Sequence, residues 1–201
     1  MSNSERSSGK RFDREYGVTT QAILFLGDLD PDEAGDAGAH ATHYEAIPVD
    51  DFRRLLAHVP PEVIANSTFV DVGAGMGRAL LLASEMPFKH IVGIEVSGGL
   101  YEVARENLER ARGGKRRCND ISIIRADARI WNYPPGNLVV FLFNPFDATA
   151  LATTLASILH RRDPGTTWLV YHTPVERSTI EADSQFELVA AERSGVIYRA
   201  A

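Results

Sequence analysis

The sequence lacks most of the features that mark secreted, membrane-bound or metal-binding proteins. Cys118 is the only cysteine among 201 residues, which excludes an intrachain disulfide and a zinc site built on several thiolates. His40 and His43 have no run of acids or cysteines at ligand spacing beside them, so no metal site is predicted. No apolar run approaches the roughly 20 residues that a membrane span requires, and the polar stretch from Met1 to Lys10 is unlike a signal peptide. We therefore expect a soluble, cytoplasmic protein with no membrane partner.

The net charge and the length of the chain narrow the class of protein further. A net charge of −6 argues against an extended nucleic-acid surface, and 44% hydrophobic residues in a chain of this length favour one buried core. The cations between Arg110 and Arg117 have two interpretations: a solvated helix end, where positive charge suits the helix dipole, or a substrate-docking patch. The sequence indicates no oligomeric state.

Three regions are predicted along the chain. Residues 1–15, rich in Ser, Arg and Glu, are expected to form a disordered tail. Residues 16–47 are expected to form a cap or lid segment that contains a mobile acidic loop at 28–38. Residues 48–201 are expected to form the main domain.

From Pro48 onward, helical and strand patterns alternate. Helices are predicted at 48–59, 78–86, 99–112 and 148–159, and strands at 68–72, 90–96, 121–125, 138–143 and 167–171. Strands separated by helices pair in parallel through right-handed crossovers, which predicts an α/β fold, a three-layer Rossmann-like sandwich. Two further strands at 186–191 and 196–199 predict a C-terminal antiparallel hairpin.

The most informative motif is a strand that runs into Asp71 and then into Gly73, Gly75 and Gly77. Glycine permits turn conformations and lets a ligand approach the main chain closely. A dinucleotide fingerprint would need its third glycine where Arg78 stands, and no Gly-Lys-Ser/Thr phosphate loop occurs in the chain. The motif is therefore D-x-G-x-G-x-G, a strand-to-helix turn built around a ligand.

The ends of the next strands carry polar residues, at the edge where α/β sheets bind ligands. Glu95 ends the second strand, 18 residues after Gly77, and its carboxylate can accept both hydroxyls of a ribose. Asp127, followed by Ala128, comes after the third strand. It has two interpretations, a partner for an adenine amino group or a helix N-cap, and both roles can hold together.

The fourth strand ends in Asn144-Pro145-Phe146-Asp147. One interpretation is contact with a substrate through Asn144 and Phe146. The other is a proline turn into a helix whose N-cap is Asp147. Both stay open at the level of sequence.

Taken in order from about residue 44 to 199, these motifs resemble class I S-adenosylmethionine-dependent methyltransferases. The resemblance implies S-adenosylmethionine as cofactor and methyl transfer as activity. It implies cofactor contacts for these residues: Tyr44, Asp71, Gly73, Gly75, Gly77, Glu95, Asp127, Ala128 and Asn144. Tyr44 is expected to close over the methionine end of the cofactor or over the substrate.

The resemblance also implies an acceptor site. Amine-methylating members carry Asn/Asp-Pro-Pro-Tyr/Phe at this position, so Asn144 and Phe146 are expected to position the acceptor, with an amine nitrogen as the candidate acceptor atom. This chain has one proline where that pattern has two. The acidic charge favours a small molecule or a protein as acceptor over DNA. Two alternatives remain: a non-catalytic cofactor-binding module, and a nicotinamide-dependent Rossmann oxidoreductase, which the glycine spacing disfavours.

Overall fold

The computed structural model describes residues 3–25, 43–112 and 114–200. The acidic loop predicted at 28–38 and His40 lie outside these residues. The helices are α1 Asn3–Tyr16, α2 Val49–Leu56, α3 Pro61–Asn66, α4 Arg78–Ala83, α5 Gly98–Arg110, α6 Ala148–Leu159 and α7 Arg177–Glu181. The strands are β1 Ile23–Phe25, β2 His43–Glu45, β3 Thr68–Val72, β4 His90–Glu95, β5 Ile121–Arg125, β6 Gly136–Phe143, β7 Pro164–His172, β8 Glu187–Ala191 and β9 Gly195–Ala200.

Seven strands form one sheet in the order β5-β4-β3-β6-β7-β9-β8. The first five of these pair in parallel, while β9 is antiparallel to both β7 and β8. The strand order reverses beside β3, because β4 lies on one side of it and β6 on the other. This arrangement confirms the predicted sandwich with a C-terminal hairpin, and it places the glycine turn at the switch point where open α/β sheets bind ligands.

The central strand is buried on both faces. All five residues of β3 are buried, as expected for a parallel strand covered by helices on each side. On one face Phe69 packs with Phe52 of α2 and Phe141 of β6, with ring centroids 6.0 and 6.3 Å away. On the other face Val70 belongs to the cluster that contains Leu151 of α6. The turn at the end of β3 is thus anchored by a rigid core.

Two short helices were not predicted from the sequence. The helix predicted at 48–59 stops before Pro60-Pro61, and Pro61 begins α3, since proline suits the first turn of a helix. Helix α7 has five residues, too few for a helical period to show in the sequence. Within the described ranges, no helix is both long and apolar enough to cross a membrane.

The N-terminus differs from the predicted disordered tail, because residues 3–16 form helix α1. Phe12 and Tyr16 lie one turn apart, are both buried, and stack with their ring centroids 4.3 Å apart. The Tyr16 hydroxyl also donates a hydrogen bond to Glu85 at 2.5 Å. Two aromatic anchors outweigh the polar composition that suggested disorder.

The basic cluster begins where α5 ends. Arg110 Nη2 lies 2.7 Å from Glu106 one turn earlier, and Arg116 Nη2 donates to the carbonyl of Ala111 at 3.3 Å. These contacts fit the interpretation as a solvated helix end. Substrate docking at this cluster stays a prediction.

Candidate functional site

A cavity opens where the central parallel strands end. Its lining includes most of the residues singled out in the sequence: Tyr44, Asp71, Gly73, Gly75, Glu95, Asp127, Ala128, Asn144 and Phe146. Gly77 does not line it, but has a left-handed backbone conformation, φ 85°, just before the first residue of α4. The fold therefore brings together predicted residues that lie up to 102 positions apart in the chain, from Tyr44 to Phe146.

The turn after β3 needs glycine for two reasons. Gly73 and Gly75 both have positive φ angles, 75° and 54°, which side chains rarely adopt. A Cβ atom on Gly75 would also lie 2.3 Å from the ring of Tyr44, and one on Gly73 would lie 3.1 Å from Pro145. The glycine turn is packed between Tyr44 of β2 and Pro145 in the loop after β6.

Glu95 ties the ends of β3 and β4 together. One carboxylate oxygen accepts from the Gly75 N–H at 2.8 Å, and the other accepts from the Ser97 N–H at 2.8 Å. Burial raises the pKa of Glu95, while the backbone N–H groups that bind the carboxylate act in the opposite direction. Each oxygen keeps acceptor capacity for a ligand hydroxyl, since a carboxylate has about four lone-pair sites.

Asp71 adds a second buried carboxyl group to the same cavity. Burial, and to a lesser extent the nearby charge of Glu95, raise the pKa of Asp71 to about 8. A carboxyl group with a pKa near neutral pH loses its proton at a small free-energy cost when a cation binds next to it. The two acids make this end of the cavity suited to a ligand with hydroxyl donors and positive charge.

Asp127 is held by its neighbour Arg129. The carboxylate of Asp127 accepts from the Arg129 backbone N–H at 2.9 Å and from the Arg129 guanidinium at 2.7 Å. No helix begins at Asp127; it caps a turn that is closed by the Ile130 N–H and the Asp127 carbonyl at 3.2 Å. Asp127 therefore caps a turn and not a helix, so the helix N-cap interpretation was wrong. The contact with an adenine amino group stays a prediction.

The segment predicted to form a cap reaches the cavity through Tyr44. Its ring covers Gly75, and its hydroxyl donates to the carbonyl of Thr20 at 2.7 Å. Burial raises the pKa of Tyr44, which keeps the hydroxyl protonated. Its predicted closure over a bound cofactor stays a prediction.

Arg78 anchors the N-terminal segment to the glycine turn, a role that was not predicted. The buried guanidinium donates to Thr20 Oγ1 at 2.7 Å and to the Ile47 carbonyl at 3.2 Å, and it pairs with Asp13 at 3.3 Å. Burial lowers the pKa of Arg78, and the charge of Asp13 opposes that shift. The signal available in the sequence was an arginine at the position where a dinucleotide fingerprint has its last glycine.

Asn144 follows β6 and lies on the opposite side of the central strand β3 from Glu95. It has a positive φ of 41°, and its amide oxygen accepts from the Tyr171 hydroxyl at 3.1 Å. The Tyr171 hydroxyl accepts in turn from the Glu176 N–H at 3.3 Å. Asp147 caps α6 by accepting from the Ala150 N–H at 2.9 Å, so the interpretation as a turn into a helix is confirmed for this residue.

Comparison with known proteins returns methyltransferases. Over 100 residues, 50% of this chain, the sequence is 32% identical to the ribosomal protein L11 methyltransferase of Desulfosudis oleivorans, of which the match spans 30%. The structure is similar to the 23S rRNA methyltransferase ErmE, with TM-score 0.53 and 14% identity over 75% of this chain and 66% of that one. It is also similar to the glycopeptide N-methyltransferase MtfA, solved with sinefungin, with TM-score 0.55 and 12% identity over 76% of this chain and 85% of that one. No protein-family model matches the chain.

The chain has the fold of class I methyltransferases. The resemblance predicted from the sequence is thereby confirmed at the level of fold and family likeness. The chain matches less than a third of the length of the L11 methyltransferase, and the two structural matches have low sequence identity, so neither assigns a substrate.

Within this class I fold, sequence reasoning missed one residue of the cavity lining and two residues connected to it. Thr173 lines the cavity, and it connects through His172 to Asp51 of α2. No motif links Asp51 to His172, because 121 positions separate them. Among the described residues there is no group of three or more His, Cys, Asp or Glu that could hold a metal ion.

Proposed function

We propose that the protein binds S-adenosylmethionine in this cavity and transfers its methyl group to an acceptor. The observation that carries the proposal is the position of Glu95, whose carboxylate bridges the glycine turn and the start of α5 while facing the cavity. This places a fixed pair of acceptor oxygens at the switch point of the sheet, where a ribose would lie.

The chemistry of the lining supports this cofactor over a dinucleotide. S-adenosylmethionine carries a sulfonium and an ammonium group, and both suit a cavity that contains Asp71 and Glu95. A dinucleotide would bring a pyrophosphate dianion beside the same two acids. Arg78, the cation that follows the glycine turn, is directed instead to Asp13 and Thr20. These contacts disfavour the nicotinamide-dependent alternative.

When bound, S-adenosylmethionine supplies a methyl group already activated on a sulfonium, so the protein has to orient rather than activate. The glycine turn and Glu95 would hold the adenosine part, and Asp71 would face a cationic group. Asn144 and Phe146 would hold the acceptor at the other end. Orientation of two reactants in near-attack geometry supplies about 7–11 kcal/mol in favourable systems.

The proposal includes a methyl acceptor but does not assign its chemical class. The matched proteins are named for a ribosomal protein, an rRNA and a glycopeptide, and so do not select one class. The expectation of a small molecule or protein rests on net charge alone, and similarity to an rRNA methyltransferase does not favour it. An amine nitrogen would have to share the Asn144 amide oxygen with the Tyr171 hydroxyl.

Calorimetric titration with S-adenosylhomocysteine tests the proposal, with NAD as the control ligand. We expect a dissociation constant in the micromolar range for the first and no binding of the second, together with methyl transfer from labelled S-adenosylmethionine to one of a set of acceptors. Binding without transfer to any acceptor would favour the non-catalytic module, and binding of NAD would overturn the assignment.

A further inference from the structure

A chain of three hydrogen-bonded side chains reaches the cavity at the end of β7. Asp51 Oδ2 lies 3.2 Å from His172 Nε2, and Thr173 Oγ1 lies 3.0 Å from His172 Nδ1. His172 is buried, its ring is nearly perpendicular to that of Phe143 with centroids 4.3 Å apart, and Thr173 lines the cavity. The chain therefore runs from the carboxylate on α2, through the protein, to the cavity wall.

The chemistry of the partners sets the direction of these hydrogen bonds. A carboxylate only accepts, so His172 Nε2 carries the hydrogen that it shares with Asp51. In a neutral imidazole the other nitrogen, Nδ1, is then an acceptor, and the Thr173 hydroxyl donates to it. The Thr173 oxygen is left with lone pairs that can receive a hydrogen from a ligand in the cavity.

Thr173 is held in place at a conformational cost. Its φ of 50° lies in the left-handed region, which a β-branched residue rarely adopts, and its N–H donates to the Ser194 carbonyl at 2.9 Å. Backbone strain of this kind persists where the surrounding structure over-determines it, often at functional sites. Phe143 pairs with His172 in the sheet, so Asn144 and Thr173 follow side by side and flank the acceptor end.

We propose that Asp51, His172 and Thr173 form a proton relay and that the methyl acceptor is a hydroxyl group, of an alcohol or a phenol. This inference rests on the proposed methyltransferase function. A hydroxyl must lose its proton as its oxygen attacks, and it therefore requires a base nearby. An amine attacks as the free base, and solvent can take its proton afterwards.

The proposed step balances as follows. The acceptor oxygen forms a bond to the methyl carbon while the carbon–sulfur bond breaks and sulfur keeps the electron pair. The hydroxyl proton of the acceptor passes to Thr173 Oγ1 as the proton of Thr173 passes to His172 Nδ1. The products are a methyl ether, the thioether S-adenosylhomocysteine and an imidazolium paired with Asp51, which later returns its proton to water.

The first test measures methyl transfer from tritiated S-adenosylmethionine to three probes of similar size: para-ethylphenol, phenylethanol and phenylethylamine. Their aromatic ring is chosen because Phe143 and Phe146 line the cavity. The relay predicts transfer to a hydroxyl probe, and preferential methylation of the amine would overturn the hydroxyl assignment. Failure of the wild-type protein to bind S-adenosylhomocysteine would instead overturn the proposed function.

Variants separate the relay from a structural role. We expect His172→Gln and Thr173→Val to lower kcat by about a hundredfold or more, and Thr173→Ser, which keeps the hydroxyl, to restore most of it. Affinity for S-adenosylhomocysteine should stay within about threefold of wild type in all of them. His90→Gln is the matched control, because His90 pairs with Asp120 in an exposed contact 2.6 Å long at the start of β4. Equal kcat values for Thr173→Val and wild type would overturn the relay.

The pH profile and a direct measurement of protonation complete the test. The charged groups that face His172 include Asp51 and, behind it, Arg54, which pairs with both Asp51 and Glu192. Wild-type kcat should rise with pH as His172 loses its proton and then level, whereas His172→Gln should lack this inflection.

In ¹⁵N spectra of histidine-labelled protein, with His172 assigned from His172→Gln, we expect hydrogen on Nε2 and a lower midpoint of titration in Asp51→Asn. A hydrogen on Nδ1 of neutral His172 would overturn the relay without any activity assay.

Discussion

The two ends of the cavity are built in different ways. At the proposed cofactor end, Asp71, the glycine turn and Glu95 lie within 25 positions of the chain, at the ends of the adjacent strands β3 and β4. At the proposed acceptor end, Asn144 and Thr173 follow β6 and β7, and Asp51, which contacts His172, lies on a helix early in the chain. Residues on two neighbouring strands form a motif that the sequence shows, while a group of residues from distant elements does not.

The cofactor end should be the easier one to break. Gly75→Val would add a branched side chain at a φ of 54°, where even a Cβ atom would lie 2.3 Å from the Tyr44 ring. We expect no measurable binding of S-adenosylhomocysteine by calorimetry. Gly136→Ala is the control, since Gly136 also has positive φ but nothing lies within 4 Å of its Cβ position. That variant should lose only about 1 kcal/mol of unfolding free energy and bind normally, and wild-type binding by Gly75→Val would contradict the site.

The anchor between the N-terminal helix and the glycine turn should matter next. Asp13→Asn leaves the guanidinium of Arg78, 2% exposed, without its counter-charge. We expect a loss of about 3 kcal/mol in the free energy of unfolding, measured by urea denaturation, because an uncompensated buried charge is costly. Glu102→Gln, which removes an acid from an exposed pair with Arg105, should change stability little. Equal stabilities of the two variants would show that α1 is not held through Arg78.

The buried acid Asp71 should make stability depend on pH. Its pKa in the folded protein, raised to about 8, exceeds that of an unfolded aspartate, about 3.9, so the folded state holds a proton that the unfolded state releases. The contribution of this proton to the free energy of unfolding is greatest below about pH 4. It falls by about 1.3 kcal/mol per pH unit as the pH rises, and it levels off near pH 8. Between about pH 5.5 and 7.5, wild type should therefore lose roughly 2.5 kcal/mol more than Asp71→Asn in parallel denaturation curves. Parallel pH profiles of the two proteins would exclude the raised pKa.

Glu95→Gln should weaken the cofactor end without abolishing it. An amide can accept from only one of the Gly75 and Ser97 N–H groups, and it offers fewer acceptor sites to a ribose. We expect S-adenosylhomocysteine to bind about 10- to 100-fold more weakly in calorimetric titrations, with Asp120→Asn, which changes an exposed acid far from the cavity lining, as the control. An unchanged dissociation constant would remove Glu95 from the cofactor site.

The acceptor end should respond least when only cofactor binding is measured. Asn144→Ala removes the amide that Tyr171 holds, yet leaves the glycine turn and Glu95 in place. We expect the dissociation constant of S-adenosylhomocysteine to change by less than about threefold, while methyl transfer is lost. A large loss of affinity would make Asn144 a cofactor residue first, as the family resemblance also allows.

Much of the fold could be predicted from the sequence because its signals are local. Strands β3 and β5 and helix α6 have the predicted boundaries, since each is a continuous apolar or periodic run between turn residues. The polar composition of the N-terminus predicted a disordered tail. Composition ignores the positions of single residues, so it cannot show that Phe12 and Tyr16 stack and are buried. The short helices α3 and α7 fell below the length at which a period is visible.

Local patterns in the sequence predicted the order of the main elements, the parallel sheet and the glycine turn at the end of β3. Hydrophobic periodicity and a contiguous glycine motif are properties of neighbouring positions, so no folding was needed to read them. Three contacts appear only in the folded chain: Arg78 anchors α1, Tyr44 covers Gly75, and Asp51 contacts His172. These contacts join elements far apart in the chain, and their energies come from burial and partner geometry, which exist only once the sheet has been assembled.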